Sequence, residues 1–185
     1  MSILKISKLG HPILNIKAKK VENIPDPNIE DIIHNMTETM LDAKGIGLAA
    51  PQIHISKQII VFRVPEEAED IDIEKKEIKV TALINPSITE LTDQTENQWE
   101  GCLSIPGMLG LVKRCAKIKY KGFDMNGNII EQEVDGLHAR VVQHEYDHLM
   151  GILYTKRLSH KNAFGFSEEI EEYWKRREGK DNEIK

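Results

Sequence analysis

Residues 137–150 read LHARVVQHEYDHLM, and their pattern says most about the architecture of this protein. Drawn as a helix, it carries apolar side chains on both faces: Leu137 and Val141 on the side of the two motif histidines, and Val142, Tyr146 and Leu149 on the opposite side. A helix that is apolar nearly all round is buried rather than laid on a surface. The sequence therefore predicts a helix that runs through the middle of the domain.

The same helix carries the motif His144-Glu145-Tyr146-Asp147-His148. A spacing of four residues is about one helical turn, so both imidazoles project from one face and can bind one metal ion. Glu145 lies beside them, within reach of a water held by that metal. Because buried polar groups need partners or a metal, the motif predicts a metal site.

A catalytic metal site needs a third protein ligand and an open position for water. Metalloproteases with this core take the third ligand downstream, either from a histidine three residues after Gly151, where this chain has Tyr154, or from a glutamate such as Glu168 or Glu169. The upstream alternative is Cys102, whose thiolate is a strong ligand. A glycine precedes this cysteine, and a Ser-Ile-Pro turn follows it closely. The spacing alone leaves these alternatives open.

The flanking segments predict helices at the two ends of the chain and several short strands between them. Asp26 can cap a helix that has Pro27 in its first turn and ends at Lys44 and Gly45. Its apolar stripe consists of Ile29, Ile32, Ile33, Met36 and Met40. A weakly amphipathic helix over 167–177 is expected at the surface.

The predicted strands are 58–64, 80–84 closed by the turn signal Asn85-Pro86, 112–120, and 129–134 after an Asn126-Gly127 hairpin turn. Strands and helices are segregated along the chain rather than alternating. We therefore expect an α+β fold, with antiparallel or mixed β-sheets wrapped around the central buried helix that carries HEYDH, and with additional N-terminal and C-terminal helices.

Composition excludes several classes of protein. The chain has 185 residues, 40% of them hydrophobic, a net charge of -5 and two cysteines. These values fit one globular domain over 1–185 rather than a disordered chain or a disulfide scaffold. No apolar run approaches the roughly 18 residues of a membrane span. The start, MSILKISKLGHP, lacks the apolar core of a signal peptide. We expect a cytoplasmic protein that recognises no nucleic-acid sequence and no membrane.

The negative charge is concentrated in two segments. Residues 66–79 hold seven acids and three lysines, and residues 168–185 hold seven acids and five bases. The remainder of the chain is nearly neutral. Both segments are interpreted as solvated surface, the first of them as an insertion between two strands.

Three segments together resemble the bacterial-type peptide deformylases. They are GIGLAAPQ at 45–52, EGCLS at 100–104 and QHEYDH at 143–148. Each alone is a modest signal, but their order and spacing are specific, and the resemblance spans nearly the whole chain. It implies a metal-dependent hydrolase that removes the N-formyl group from the initiator N-formylmethionine of nascent polypeptides and releases formate.

The resemblance also implies a role for each motif residue. Cys102, His144 and His148 would bind the metal, which in the family is Fe²⁺, with Zn²⁺, Ni²⁺ or Co²⁺ able to substitute. A metal-held water or hydroxide would be the nucleophile, and Glu145 would act as general base and then general acid. The side-chain amide of Gln52 and the backbone N–H of Leu103 would stabilise charge on the formyl oxygen.

Further residues are expected around the substrate. Ile46, Gly47 and Gly101 match positions whose backbone pairs with the extended peptide. Some family members carry an arginine near the position of Leu109, and Arg114 is the next candidate for holding substrate. Asp147 is expected either to orient an imidazole or to be an ordinary surface carboxylate, and Cys115 to be an incidental, partly exposed thiol.

An enzyme that acts on nascent chains is also expected to associate with the ribosome.

Two other functions remain possible on these residues alone. A metalloprotease would use the same helix with a downstream ligand, so its metal would survive Cys102→Ala. A metal-stabilised binding protein would need the metal for folding and would tolerate Glu145→Gln. A deformylase loses its metal on the first change and formate release on the second.

Overall fold

The computed structural model describes residues 2–64 and 80–175, with side chains described through Glu172. The predicted insertion at 66–79 and most of the acidic tail lie outside the described residues. The strands are β1 Gly47–Ala49, β2 Ile59–Phe62, β3 Thr81–Glu90, β4 Thr95–Cys102, β5 Ile105–Cys115, β6 Lys117–Phe123, β7 Ile129–Asp135 and β8 Phe164–Phe166. The helices are α1 Pro27–Asp42, α2 Gly136–Leu149 and a short C-terminal helix, Ser167–Glu169, continued by a π-helix, Ile170–Lys175, with 3-10 turns at Pro12–Asn15, Ala50–Ile53 and Tyr154–Lys156.

Two antiparallel sheets enclose the helix α2. One sheet has five strands in the order β1-β2-β3-β6-β7, and the other has three in the order β4-β5-β8. The buried side of α2 includes Ala139, Val141, Val142 and Leu149, which pack with strand residues in one core cluster. The α+β prediction with a central buried helix is confirmed, except that Leu137, in the first turn, is 44% exposed.

The helix α1 begins where its sequence predicts. The carboxylate of Asp26 accepts a hydrogen bond from the backbone N–H of Asn28 at 2.9 Å, and Pro27 occupies the first turn. Ile29, Ile33, Met36 and Met40 are buried against β1 and β2. The helix ends before Lys44, which has a φ of 54°. The amphipathic stripe therefore packs against the end of the five-stranded sheet that β1 and β2 form.

The predicted strand end at Asn85-Pro86 is wrong. The strand β3 continues to Glu90, and its pairing with β6 shifts register between Ile84 and Ser87. Asn85 has a φ of 51°, and its side-chain amide bonds the backbone N–H and C=O of Val21 at 2.9 and 2.8 Å. A bulge thus replaces the expected turn, because the side chain of the asparagine binds the backbone of Val21, which lies outside the sheet.

The single strand predicted over 112–120 is two strands in different sheets. β5 ends at Cys115, and β6 begins at Lys117. The break is at Ala116, whose N–H donates to the carbonyl of Gln94 at 2.9 Å. Alternation of apolar side chains persists across the break, although Val112 of β5 packs in one core cluster and Ile118 and Tyr120 of β6 pack in another.

The hairpin between β6 and β7 is confirmed. Gly127 has a φ of 83°, and the carboxylate of Asp124 accepts hydrogen bonds from the N–H groups of Asn126 and Asn128. The C-terminal helix begins at Ser167, as expected, and the end predicted for it lies outside the described residues. Within the described ranges, no helix is long and apolar enough to cross a bilayer.

Candidate metal centre and active site

The structure brings the upstream cysteine and the two helix histidines together. One ligand atom from each of Cys102, His144 and His148 lies within 4.8 Å of the others. The Sγ atom of Cys102 is 3.2 Å from Nε2 of His148. A thiolate and two imidazoles are the donors that zinc and other transition metals favour, so this group fits a divalent metal ion.

A local irregularity at the end of β4 presents Cys102 to the helix. The β4–β5 register shifts between Gly101 and Cys102, and Cys102 pairs with Ile105 across a tight turn. The backbone N–H of Ser104 donates to Sγ at 3.4 Å. Burial alone would raise the pKa of the Cys102 thiol, but the charges and hydrogen bonds of His148 and His144 outweigh it and hold that pKa well below its usual value.

His144 is oriented by a carboxylate that the sequence reasoning missed. Its Nδ1 atom lies 2.9 Å from Oε2 of Glu100, which leaves Nε2 for a metal. Glu100 is 7% exposed and stands two residues before Cys102 on β4. Its place in the motif EGCLS, two residues before the cysteine, was the available signal.

Glu100 is itself held by two arginines. Arg114 donates to both of its carboxylate oxygens at 2.9 Å, and Arg140 donates to Oε1 at 2.7 Å. Burial would raise the pKa of Glu100, but the hydrogen bonds from His144 and Arg114 and their charges lower it below its usual value. Glu100 is therefore a fixed anion beside the metal ligands.

Arg114 and Asp147 have different roles from those expected. Arg114 is 4% exposed and donates to Asp147 at 2.5 Å as well as to Glu100, so it is not available to a substrate. Asp147 is 3% exposed and accepts two further hydrogen bonds from Arg157, both at 2.7 Å. Asp147 therefore neither orients an imidazole nor lies at the surface. Its carboxylate links Arg114 of β5 to Arg157, which follows α2 in the chain.

Glu145 projects from α2 towards β1. It is 4% exposed, and its Oε2 atom finds no hydrogen-bond partner among the described residues. A Cβ atom added to Gly47 would lie 2.3 Å from Oε1 of Glu145, so only glycine leaves room for this side chain. Burial raises the pKa of Glu145 to about 7, against the lowering effect of His144 and His148.

Gln52 is placed beside the cysteine ligand. Its Oε1 atom accepts a hydrogen bond from the N–H of Ala49 at 2.8 Å, which turns the amide nitrogen towards Sγ of Cys102 at 3.6 Å and Oγ of Ser104 at 3.1 Å. Leu103, directly after Cys102, packs near Gly45. The structure thus brings Gln52, Leu103, Cys102 and Glu145 around one site.

The three residues expected to bind a peptide backbone lie on both sides of this site. Ile46 is 40% exposed and precedes β1, which is an edge strand of the five-stranded sheet and contains Gly47. Gly101 lies at the end of β4, where an added Cβ would be 3.2 Å from Leu109. An edge strand leaves backbone groups free to pair with another chain.

The downstream alternatives do not reach the histidines. Glu168 and Glu169 are exposed on the C-terminal helix and lie outside the ligand group. Tyr154 instead stacks on His144, with ring centroids 6.1 Å apart, and its hydroxyl donates to the carbonyl of Met108. Tyr154 therefore packs against one of the two histidines and does not supply a third ligand.

Cys115 is not the partly exposed thiol that was expected. It is 7% exposed, and its Sγ lies within hydrogen-bond distance of the carbonyls of Thr92 and Lys117. The alternation of 112–120 was misread because Ala116 breaks the strand. Cys115 takes no part in the ligand group.

Comparison with known proteins identifies the family. The family model described as polypeptide deformylase matches residues 3–164. The chain belongs to the polypeptide deformylase family. It is 45% identical over 168 residues to "Peptide deformylase 1" of Nitrosomonas europaea, covering 91% of this chain and 94% of that protein.

Solved deformylases share the fold. The crystal structure of peptide deformylase from Thermotoga maritima matches with a TM-score of 0.78 and 38% identity, covering 86% of this chain and 100% of that one. A class I type b peptide deformylase from Acinetobacter baumannii, solved with Met-Ala-Ser bound, matches with a TM-score of 0.76 and 33% identity, covering 85% and 99%. This chain is accordingly a deformylase, a metal-dependent amide hydrolase, and it contains a Cys/His/His group of the kind such an enzyme needs.

Proposed function

We propose that the enzyme hydrolyses the N-formyl group of N-formylmethionyl nascent peptides at a metal held by Cys102, His144 and His148. The observation that carries this proposal is the convergence of a thiolate and two imidazoles, from β4 and α2, beside the buried carboxylate of Glu145. Three protein donors leave a coordination position open for chemistry.

The metal is proposed to be Fe²⁺, as the family resemblance implies, with Zn²⁺, Ni²⁺ or Co²⁺ able to take its place. A divalent ion bound by these donors would act as a Lewis acid and would lower the pKa of a water bound to it. The protein's part is to hold the ligands in place. Glu100 does so for His144, and the Ser104 N–H and the Gln52 amide do so for the Cys102 sulfur.

Glu145 is proposed to take a proton from the attacking water and to deliver it to the departing amine. Its side chain is buried next to both histidines, and one carboxylate oxygen has no hydrogen-bond partner among the described residues. An unpaired buried acceptor costs free energy unless a ligand or a water satisfies it. A water at that oxygen would be positioned for deprotonation.

Gln52 and Leu103 are proposed to stabilise the negative charge that develops on the formyl oxygen. The Gln52 amide is held rigidly, because its oxygen is bound by the Ala49 N–H. Donors that are oriented before the reaction stabilise such a charge without reorganisation. The donor from Leu103 is its backbone N–H, directly after the cysteine ligand.

The peptide is proposed to lie along the unpaired edge of β1, pairing with Ile46 and Gly47 on one side and Gly101 on the other. The glycines allow a second backbone to approach closely. The related enzyme with Met-Ala-Ser bound supports a short methionyl peptide as the occupant of this site.

We further propose that residues 1–185 form a single catalytic domain that works in the cytoplasm, where nascent chains emerge, and that it associates with the ribosome. Neither recognition of a nucleic-acid sequence nor a membrane is needed for that role. The near-neutral charge of the chain outside its two acidic segments is compatible with peptides of varied sequence.

The test is formate release from a formyl-Met peptide by protein prepared without air. Wild-type enzyme with one metal per chain should release formate, Glu145→Gln should keep the metal but lose activity, and Cys102→Ala should lose the metal. Glu168→Gln, an exposed carboxylate on the C-terminal helix, is the matched control and should behave as wild type. Absence of formate from metal-replete wild-type protein would overturn the proposal.

A further inference from the structure

The N-terminal segment Ser7–Leu9 lies against the two loops that carry the proposed oxyanion donors. We call this segment the N-terminal clasp. It has no residue in the ligand group, and the family motifs at 45–52, 100–104 and 143–148 do not include it. Its hydrogen bonds nevertheless end on Gln52, on Leu103 and on their immediate neighbours.

The first residue of the N-terminal clasp binds the Gln52 loop. The backbone N–H of Ser7 donates to the carbonyl of Gln52 at 2.7 Å. The Ser7 hydroxyl lies 2.8 Å from the same carbonyl and 3.1 Å from that of Pro51. Ser7 is 2% exposed, so these bonds are shielded from water. The backbone that carries the Gln52 side chain is therefore fixed from behind.

The next two residues bind the Cys102 loop. The Lys8 ammonium donates to the carbonyl of Leu103 at 2.7 Å, and the N–H of Leu9 donates to the carbonyl of Ser104 at 2.9 Å. Consecutive residues of one extended segment thus hold two loops that are about fifty positions apart in the chain. Among the described residues, the side-chain hydrogen bonds that join these two loops directly come from the Gln52 amide, to Cys102 and Ser104.

The Lys8 contact also acts on the peptide unit between Leu103 and Ser104. Its carbonyl accepts from the ammonium, while its N–H, on Ser104, donates to Sγ of Cys102 at 3.4 Å. A cation on the carbonyl polarises the amide and strengthens its N–H as a donor. Lys8 thereby withdraws electron density from the cysteine ligand through one peptide unit.

We propose that Ser7 and Lys8 are positioning residues, which set the distance between the Gln52 and Leu103 donors and tune the Cys102 sulfur. The proposal rests on the proposed function, because it concerns donors assigned there. Neither residue touches the reacting atoms. Misplacement of a donor weakens stabilisation of the transition state more than binding of the ground state. The effect is therefore expected on kcat.

The experiment compares Ser7→Ala, Lys8→Met and the double variant with wild type. For metal-replete enzyme of equal metal content, the double variant should lower kcat by about 5- to 50-fold with KM changed less than about 2-fold, a smaller loss than removal of an oxyanion donor. Lys8→Arg should recover most of the Lys8→Met loss because it restores a cation to the Leu103 carbonyl. Lys5→Met and Ser2→Ala, at exposed positions of the same N-terminal stretch, are the controls and should match wild type.

A spectroscopic measurement separates tuning of the sulfur from mere support of the fold. In Co²⁺-substituted protein, Lys8→Met should shift the thiolate-to-metal charge-transfer band to lower energy, and Lys8→Arg should shift it back. Lys5→Met should leave the band unchanged. Because Lys8 is exposed, salt should move the wild-type band towards that of Lys8→Met and leave the variant unaffected.

The outcomes distinguish this proposal from the one on which it rests. No formate from wild type overturns the proposed function itself. Active wild type together with an unaltered kcat in the double variant overturns the clasp role. A lower melting temperature with unchanged kcat and an unchanged Co²⁺ spectrum would mean that the N-terminal clasp supports only the fold, which also overturns the proposal.

Discussion

Oε2 of Glu100 lies 2.9 Å from Nδ1 of His144, and both residues are almost fully buried. This carboxylate selects which imidazole nitrogen faces the cysteine and histidine partners. It is fixed in turn by Arg114 and Arg140. The position of one metal ligand thus depends on charges that lie outside the ligand group.

Glu100→Gln is expected to weaken metal binding by about 10- to 100-fold. The neutral amide orients His144 less well, and the negative charge beside the imidazole is lost. Competition with a chelator measures the affinity. Glu96→Gln, on the same strand but with its carboxylate near Gln98, is the control. Equal metal affinities for wild type and Glu100→Gln would contradict the orienting role.

Gly47→Ala is expected to abolish most activity while leaving the metal bound. The new methyl group would lie 2.3 Å from Oε1 of Glu145, so the carboxylate has to move. A loss of kcat of about 100-fold or more is expected, because the carboxylate proposed to transfer the proton would be displaced. Gly165→Ala is the control, since its added Cβ would meet nothing closer than 3.6 Å. An active Gly47→Ala enzyme would show that Glu145 works from another position.

Arg114→Met should destabilise the fold far more than Arg157→Met. Arg114 is buried between Glu100 and Asp147, and its removal leaves two buried carboxylates short of a partner, at a cost of about 3–5 kcal/mol in the free energy of unfolding. The Arg157 side chain is 45% exposed, so water can replace part of its contact with the buried Asp147, and its loss should cost less, about 1 kcal/mol. Denaturant unfolding of both variants without metal measures the difference, and equal stabilities would disprove it.

The two cysteines should differ in their response to a thiol reagent. Cys102 is partly accessible and should react in metal-free protein but be protected when metal is added, because the sulfur is then a ligand. Cys115 is 7% exposed and should react slowly under both conditions. Labelling followed by mass mapping measures each site. Cys102→Ala should remove the metal-sensitive reaction; metal-dependent labelling of Cys115 would argue against this assignment.

Periodicity was sufficient for the helices but not for the connections between strands. The apolar stripe of α1 and the all-round apolar character of α2 are local properties, so both could be read from sequence. The bulge at Asn85 depends on Val21, a partner 64 residues away, and no local pattern announces it. The crossing at Ala116 was hidden because burial alternates in the same way on both sides of it.

In the site, too, local motifs could be recognised from the sequence, whereas contacts between distant residues could not. The motif segments name the residues that converge around the cysteine and the two histidines, because those residues lie in short, recognisable stretches. The partners of Arg114 could not be inferred. In the β4–β5 register it stands opposite Glu96, yet its long side chain reaches along the sheet to Glu100 and across to Asp147. Such diagonal contacts depend on side-chain length and on helix placement.

The antiparallel pairing of Phe62 with Thr81 has a consequence for protein engineering. The pairing holds Phe62 and Thr81 side by side. The segment between them can therefore be replaced by a short turn or by an inserted domain. Closing a shorter loop costs less entropy, and the change should not weaken the strands. Deleting 66–79 would also bring the net charge from -5 to -1. The connection between Phe62 and Thr81 is therefore a suitable place to insert a reporter into the enzyme.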